Sequence, residues 1–373
     1  MSPAILISIL STALACPFCN VVQPSLAERR DAAEIVLLVE VVSQTGRNLV
    51  AIKQQMLKAH GTPDNERSFV VDADTPLTKG QLVLLFSEPT TPAADDGTSP
   101  PKSWSVVPVD ETSALYVARA PSTRLPAAER LAYFAPYLEH ANPTIADDAY
   151  AEFGRAPLDA VRKVANRLSM PSIREWLVDE TVPQSRKGLY GMLLGLASTA
   201  DDRKNNAEVL ESVIAAPSSG FRSGFDGILA GYLLLEGERG LKELDRRYVN
   251  DTKARRGDVL HFLSAVRFYS EFGNGISQSR LAQAIRPLVE RPEFAAAVII
   301  DLARWQTWEA ATQIASLFDR AEFDDLAIER AIVGFLVVCP TTDAKAALDA
   351  LRTRHPERIA DLERTALLFT FGR

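Results

Sequence analysis

Cysteine and histidine are scarce in this chain: three cysteines and four histidines in 373 residues. Three cysteines exclude a disulfide-dense scaffold. The histidines, His60, His140, His261 and His355, are scattered, so no zinc-ligand spacing arises. A phosphate-binding glycine loop, a Gly-x-Ser-x-Gly elbow, a His-Glu-x-x-His helix and a Rossmann glycine fingerprint are all missing. No catalytic constellation and no cofactor are expected, and no metal site. Basic excess is missing too. The net charge of −7 argues against a nucleic-acid partner, which needs a basic face. After the first fifteen residues no stretch is apolar for long enough to predict a transmembrane helix.

What is present begins at the N-terminus. Ala4–Leu10 is an apolar run, and Ala13-x-Ala15 has the small-residue form of a signal-peptidase site. Residues 1–15 therefore read as a signal peptide, although no Lys or Arg precedes the run. The competing reading is a buried N-terminal strand. Export makes Cys16 the first mature residue and implies a periplasmic or extracellular location. Cys16-Pro17-Phe18-Cys19 is the one motif with a chemical claim. Two thiols at this spacing can close a small reducible ring, and a helix N-terminus nearby can lower a thiol pKa. Redox enzymes place such a motif after a βαβ pattern, and no strand precedes it here. A structural disulfide in an oxidising compartment is the plainer reading. A third reading is lipidation of Cys16, which would anchor the chain to the envelope. Cys339 closes an apolar helix before Pro340 and reads as a buried small hydrophobe.

With 47% hydrophobic and 24% charged residues, the chain can bury a core and global disorder is excluded. A short helix is predicted from Pro24 to Asp31. Ala33–Val42 is rich in Val, Ile and Leu, which suits a buried strand. Thr45-Gly46-Arg47-Asn48 is a turn, and Leu49–Lys58 its hairpin partner. Ser68–Val71, Leu82–Phe86 and Trp104–Val109 complete five strands, with a long loop over 88–102. Asp110 can cap a helix from Glu111 to Arg119. This pattern predicts a small antiparallel barrel or sandwich.

From about Leu125 onward, pairs of amphipathic helices recur, opening near Gln184, Phe221, Arg255, Glu293 and Asp325. Recurrence at roughly 35 residues is typical of α-solenoids. Leu189, Met192, Leu193 and Leu196 form one stripe, and Gly188, Gly191 and Gly195 permit a neighbouring helix to approach closely. Gly273-Asn274-Gly275 reads as a helix-ending turn. Asp147-Asp148 and Asp324-Asp325 are predicted at helix starts, where carboxylates favour the dipole. Trp305 and Trp308 are predicted to pack in the core.

Three resemblances follow from these residues. Cys16–Cys19, the strand from Asp31 to Val36, Met56-Leu57-Lys58 and Lys79–Phe86 resemble the OB-like barrel of netrin-type domains, although that family's remaining cysteines are missing. Arg130–Glu139, the break at Asn142-Pro143 and Ile145–Phe153 resemble HEAT-type repeats. The whole layout is similar to a group of secreted bacterial proteins with a mature Cys-Pro-Phe-Cys start, a small β domain and a helical-repeat tail. The echoes are Trp104-Ser105, Asp148–Phe153, Arg186–Gly191 and Asp301–Trp305. The resemblance implies architecture and export and supplies no activity.

The expected fold is α+β and multidomain: signal peptide 1–15, a small antiparallel OB/netrin-like β-barrel over 16–120, and a HEAT-like α-solenoid over 121–373. The expected function is non-enzymatic binding or scaffolding with a protein partner. Solenoids bind along the face lined by the second helix of each pair. Glu208, Glu211, Lys242, Arg246, Arg247, Arg280 and Arg286 are the predicted solvent positions of that face, with Arg246 and Arg247 the binding candidates.

Overall fold

The computed structural model describes residues 18, 23–59, 66–88, 103–197, 199–217 and 220–370, with side chains described as far as 365. The predicted signal peptide, Cys16, Cys19 and the predicted loop over 89–102 lie outside the described residues. The chain divides into two compact units, 1–169 and 170–373.

The first unit opens with α1 (Leu26–Ala32), followed by β1 (Ile35–Thr45) and β2 (Asn48–Ala59). These strands form a hairpin whose turn uses Gly46 at φ +58°, where a side chain would be strained. β3 (Ser68–Asp72), β4 (Leu82–Ser87) and β5 (Trp104–Val109) complete an antiparallel sheet in the order β3-β2-β1-β4-β5. Alternate residues Leu37, Val39, Leu49, Ala51, Phe69, Val71, Val83 and Leu85 point into one core, as the period of two dictates. Central strands β1 and β4 also bury Val36, Leu84 and Phe86 on the opposite face. Burial on both faces explains why both read as unbroken apolar runs.

Four helices follow in the same unit: α2 (Glu111–Arg119), α3 (Ala127–Phe134), α4 (Pro143–Arg155) and α5 (Leu158–Ala165). Asp110 caps α2, its carboxylate accepting from the Ser113 amide at 2.7 Å. The sequence-based domain boundary at 120/121 falls inside this unit. The physical reason is that α1 and α2 are tied to α3 and α4 by buried hydrogen bonds described below.

The second unit is helical, and among the described residues no strand follows Val109. Its elements are α6 (Met170–Val178), α7 (Gln184–Gly195), α8 (Ala200–Ala215), α9 (Phe225–Leu244), α10 (Arg256–Phe272), α11 (Gln278–Ile285), α12 (Pro292–Arg304), α13 (Ala311–Ala315), α14 (Leu326–Val338), α15 (Thr342–Arg354) and α16 (Pro356–Thr370). They stack in two layers. In one, α7 packs on α9, α9 on α10, α10 on α12, α12 on α14 and α14 on α16. In the other, α8 lies against α9, the π-helical turn Asp245–Val249 against α11, and α13 against α15. Gly237, at φ +53° and ψ −129°, breaks α9 into two arms, a backbone conformation that suits glycine.

The glycine stripe of α7 does what its spacing predicts. A Cβ on Gly188 would meet Gly224 Cα at 2.9 Å, and one on Gly191 or Gly195 would meet Ile228 Cα or Gly231 Cα at 2.5 Å. α10 ends at Gly273 as predicted, with Gly275 at φ +94°. Among the described residues no helix is long and apolar enough to cross a membrane.

Candidate functional site

The densest polar arrangement of the first unit is built around α1, a helix of only seven residues. Ser25 is its N-cap and forms a capping box with Glu28. The Ser25 hydroxyl also donates to Glu152 Oε1 at 2.5 Å, and the Leu26 amide donates to Asp148 Oδ1 at 2.6 Å. The Tyr116 hydroxyl donates to Asp148 Oδ2 at 2.9 Å, and Arg130 pairs with Glu152 at 2.6 Å. Arg155 in turn holds Glu28 at 2.7 Å. Two carboxylates one turn apart on α4 therefore receive the first amide and the cap hydroxyl of α1. This is where a helix needs acceptors.

The other end of α1 is fastened as firmly. The Lys58 ammonium donates to the carbonyls of Arg30, Asp31 and Ala33 at 3.1, 2.6 and 2.6 Å. The Arg30 guanidinium donates to the carbonyls of Val117, Ala120 and Pro121 at the end of α2. Asp31 accepts from the Thr123 amide at 2.6 Å and from the Ser122 hydroxyl. Arg29 donates to Ser105 on β5 at 2.6 Å and lies 4.7 Å above the Phe86 ring. α1 is thus the keystone joining the sheet to α2 and α4.

Burial sets the proton affinities here. Asp148 is 7% exposed and its acceptors meet an amide and a phenol, not a cation. Desolvation pushes its carboxyl up to about 6, beyond what the Leu26 and Tyr116 hydrogen bonds recover. Glu152 is also raised by burial, against the pull of Ser25 and Arg130. Tyr116 is driven far up by burial and by the Asp148 charge. On Asp31 burial acts upward, but hydrogen bonds from Arg30, Thr123 and Ser122 outweigh it and hold the carboxyl at about 2.

Asp148 does not lie at a helix start as expected. α4 starts at Pro143, with Asn142 as the cap accepting from the Thr144 amide. Asp148 and Glu152 fall on the buried side of the second and third turns because they share a face with Ile145, Ala149 and Phe153. That spacing was available as a signal: carboxylates three and seven residues after Ile145, on the apolar stripe. Asp325 does act as predicted, accepting from the Ala327 and Ile328 amides at the start of α14.

In the second unit Arg246 and Arg247 lie in the π-helical turn after α9. Both bind Glu243, at 2.7 and 2.6 Å. The Arg246 side chain is 65% exposed and that of Arg247 26%. Hydrogen bonds from Arg246 outweigh the opposing effect of burial on Glu243, and those from Arg247 add to them, holding its carboxyl at about 2. Glu208, Glu211, Lys242 and Arg246 are exposed as predicted. Arg280 and Arg286 are half-buried instead. Arg280 reaches Glu238 and Asp245, and Arg286 reaches Gln313, so each ties one pair to a neighbouring pair. Arg267–Asp301 at 2.7 Å, and Arg358 with Glu329, make similar ties in the other layer.

Cys339 is buried, as predicted. Trp308 packs on Phe335 with ring centroids 5.5 Å apart, but Trp305 and Trp308 are both half-buried and not in the core as expected. Among the described residues no group of three potential metal ligands occurs.

No protein-family model matches the chain, and no curated protein matches it. Among solved structures, human deoxyhypusine hydroxylase in complex with glycerol is similar at 13% identity, covering 70% of this chain and 88% of that one, with a TM-score of 0.28. Similarity of that order bears on neither activity nor partner.

Proposed function

We propose that this chain is an exported, non-enzymatic binding or scaffolding protein with a protein partner. It belongs with the secreted bacterial proteins that share its Cys-Pro-Phe-Cys start. In this reading the second unit is a HEAT-like α-solenoid that presents the face lined by the second helix of each pair as a contact surface. The first unit is an OB/netrin-like barrel. The observation that carries the proposal is the use of buried charge. The buried Arg30, Asp148, Glu152, Asp301 and Glu329, with the half-buried Lys58, Arg130 and Arg267, are each engaged in capping or in joining neighbouring elements. Side chains committed in this way join one element to the next, which is the work of a scaffold. The two-layered stacking of helix pairs supports the solenoid. The strand order, with Phe69 of edge strand β3 and Trp104 of edge strand β5 at 5.9 Å between ring centroids, supports a sheet curled toward closure.

The rival readings are a thiol–disulfide protein acting through Cys16 and Cys19, and a chain lipid-anchored at Cys16. Mass spectrometry of the mature N-terminus separates them. The expected species starts at Cys16, carries no lipid, and has Cys16 joined to Cys19. Turnover of a disulfide substrate, with a reduction potential in the range of dedicated dithiol oxidants, would overturn the binding reading.

A further inference from the structure

We propose that Asp148 and Glu152 on α4 form a proton lock on α1: protonation of this buried pair holds Ser25 and Leu26 more tightly against α4. The geometry that carries this is the shared duty of the two carboxylates. Among the described residues, their hydrogen bonds to α1 come from its cap hydroxyl and its first amide, at 2.5 and 2.6 Å. Releasing the start of α1 therefore means withdrawing both donors together and wetting both carboxylates.

The charged groups facing the pair are few. Glu28 and Arg29 come from α1, Arg130 from α3, and Arg155 from the end of α4, while Tyr116 of α2 contributes a neutral phenol. Arg130 is committed to Glu152 and Arg155 to Glu28. Arg29 leans toward Ser105 and Phe86, and its charge is shared between Asp148 and Glu88. Asp148 is thus the carboxylate left without a bound cation, with two further carboxylates near it. A proton from solvent added to Asp148 Oδ2 removes this repulsion. Oδ1 remains to accept from the Leu26 amide, and the Tyr116 hydroxyl turns from donor to acceptor.

The sign follows from linkage. A carboxyl that titrates higher when docked than when wetted binds protons more strongly in the docked state. Docking gains strength as pH falls from about 6 toward the ordinary carboxyl value, and loses it as pH rises through about 6. Between about pH 7.5 and about pH 5 the docked state gains about tenfold.

Hydrogen exchange of the peptide spanning 26–32, corrected for the intrinsic effect of pH on exchange, reads this directly in the full chain, with peptides from α14 as internal reference. Wild-type protection should rise about tenfold on acidification relative to α14, and Asp148→Asn should abolish that rise. Equal wild-type protection at both pH values, or an undiminished response in Asp148→Asn, overturns the proposal. If the variant fails to fold, the Asp148 carboxyl can be titrated by NMR in wild type. A value in the ordinary carboxylate range overturns the proposal equally.

Discussion

Replacing Gly191 with alanine tests the packing of the second unit at its tightest point. The new Cβ would lie 2.5 Å from Ile228 Cα and 2.8 Å from both Ile228 N and Cγ1. Ordinary carbon contacts sit at about 3.5–4.0 Å, so α7 and α9 must separate by roughly 1 Å. Two effects oppose each other. Alanine is favoured over glycine inside a helix by about 1 kcal/mol. Overpacking against backbone, which cannot rotate away, costs about 1–3 kcal/mol. Separation also loosens the neighbouring Gly188–Gly227 and Gly195–Gly231 approaches, which share the same interface. The clash wins, with a net loss of about 1–2 kcal/mol. Gly257, which has nothing within 4 Å of a built Cβ, is the control; alanine there should gain about 0.5 kcal/mol. Urea unfolding followed by far-UV circular dichroism measures both, through a shift of midpoint at unchanged slope. A Gly191→Ala protein as stable as wild type would refute the close-packed α7–α9 seam.

Gly237→Ala should lose about 1–3 kcal/mol although its Cβ meets nothing, because the cost is conformational; equal midpoints in urea would contradict the single-residue elbow. Arg130→Met should cost about 3–5 kcal/mol by leaving the Glu152 charge buried without its partner, and adding Glu152→Gln should recover most of that loss in the same thermal melt. Asp31, held low in the folded state, contributes stability present above its unfolded value and lost as pH falls from about 4 toward about 2; Asp31→Asn should remove that limb from an acid-unfolding curve. An unaltered acid limb in the variant would show that Asp31 is not what its Arg30, Ser122 and Thr123 contacts make it.

Where local chemistry decides structure, the sequence was legible almost to the residue. Trp104–Val109 and Glu111–Arg119 are strand and helix as predicted, and Asp110 is the cap, because β-branched alternation and capping act over a few residues. The openings of α7, α9, α10, α12 and α14 lie within a few residues of the predicted positions, since a repeated stripe marks each of them. Tertiary choices were hidden. Nothing in Leu235–Arg239 announces that Gly237 kinks the helix, because a lone glycine in a polar helical run is ordinarily tolerated. The π-helical turn holding Arg246 and Arg247 departs from the 3.6-residue period on which the reading relied. Asp148 was expected at a helix start, and Glu152 was given no role. They are buried because partners 122 and 127 residues earlier in the chain, Leu26 and Ser25, bring donors to them. That information is not local. Arg280 and Arg286 illustrate the same limit: their arginines bridge successive pairs, which no spacing within one helix reveals.

The face lined by the second helix of each pair in the second unit is the proposed contact surface. Charge reversal at Arg246 and Arg247, followed by quantitative capture of partners from native extract and by a thermal melt, tests it most directly. Both arginines pair with Glu243 in a partly exposed setting, where such pairs are worth about 1 kcal/mol or less. Glu243→Gln, which frees the arginines without removing them, is the matched control. The expected result is loss of a specific partner in the double variant, its retention with Glu243→Gln, and melting temperatures nearly unchanged. Undiminished capture by the double variant, with loss only when residues before Pro121 are deleted, would contradict the claim and move the binding site to the first unit.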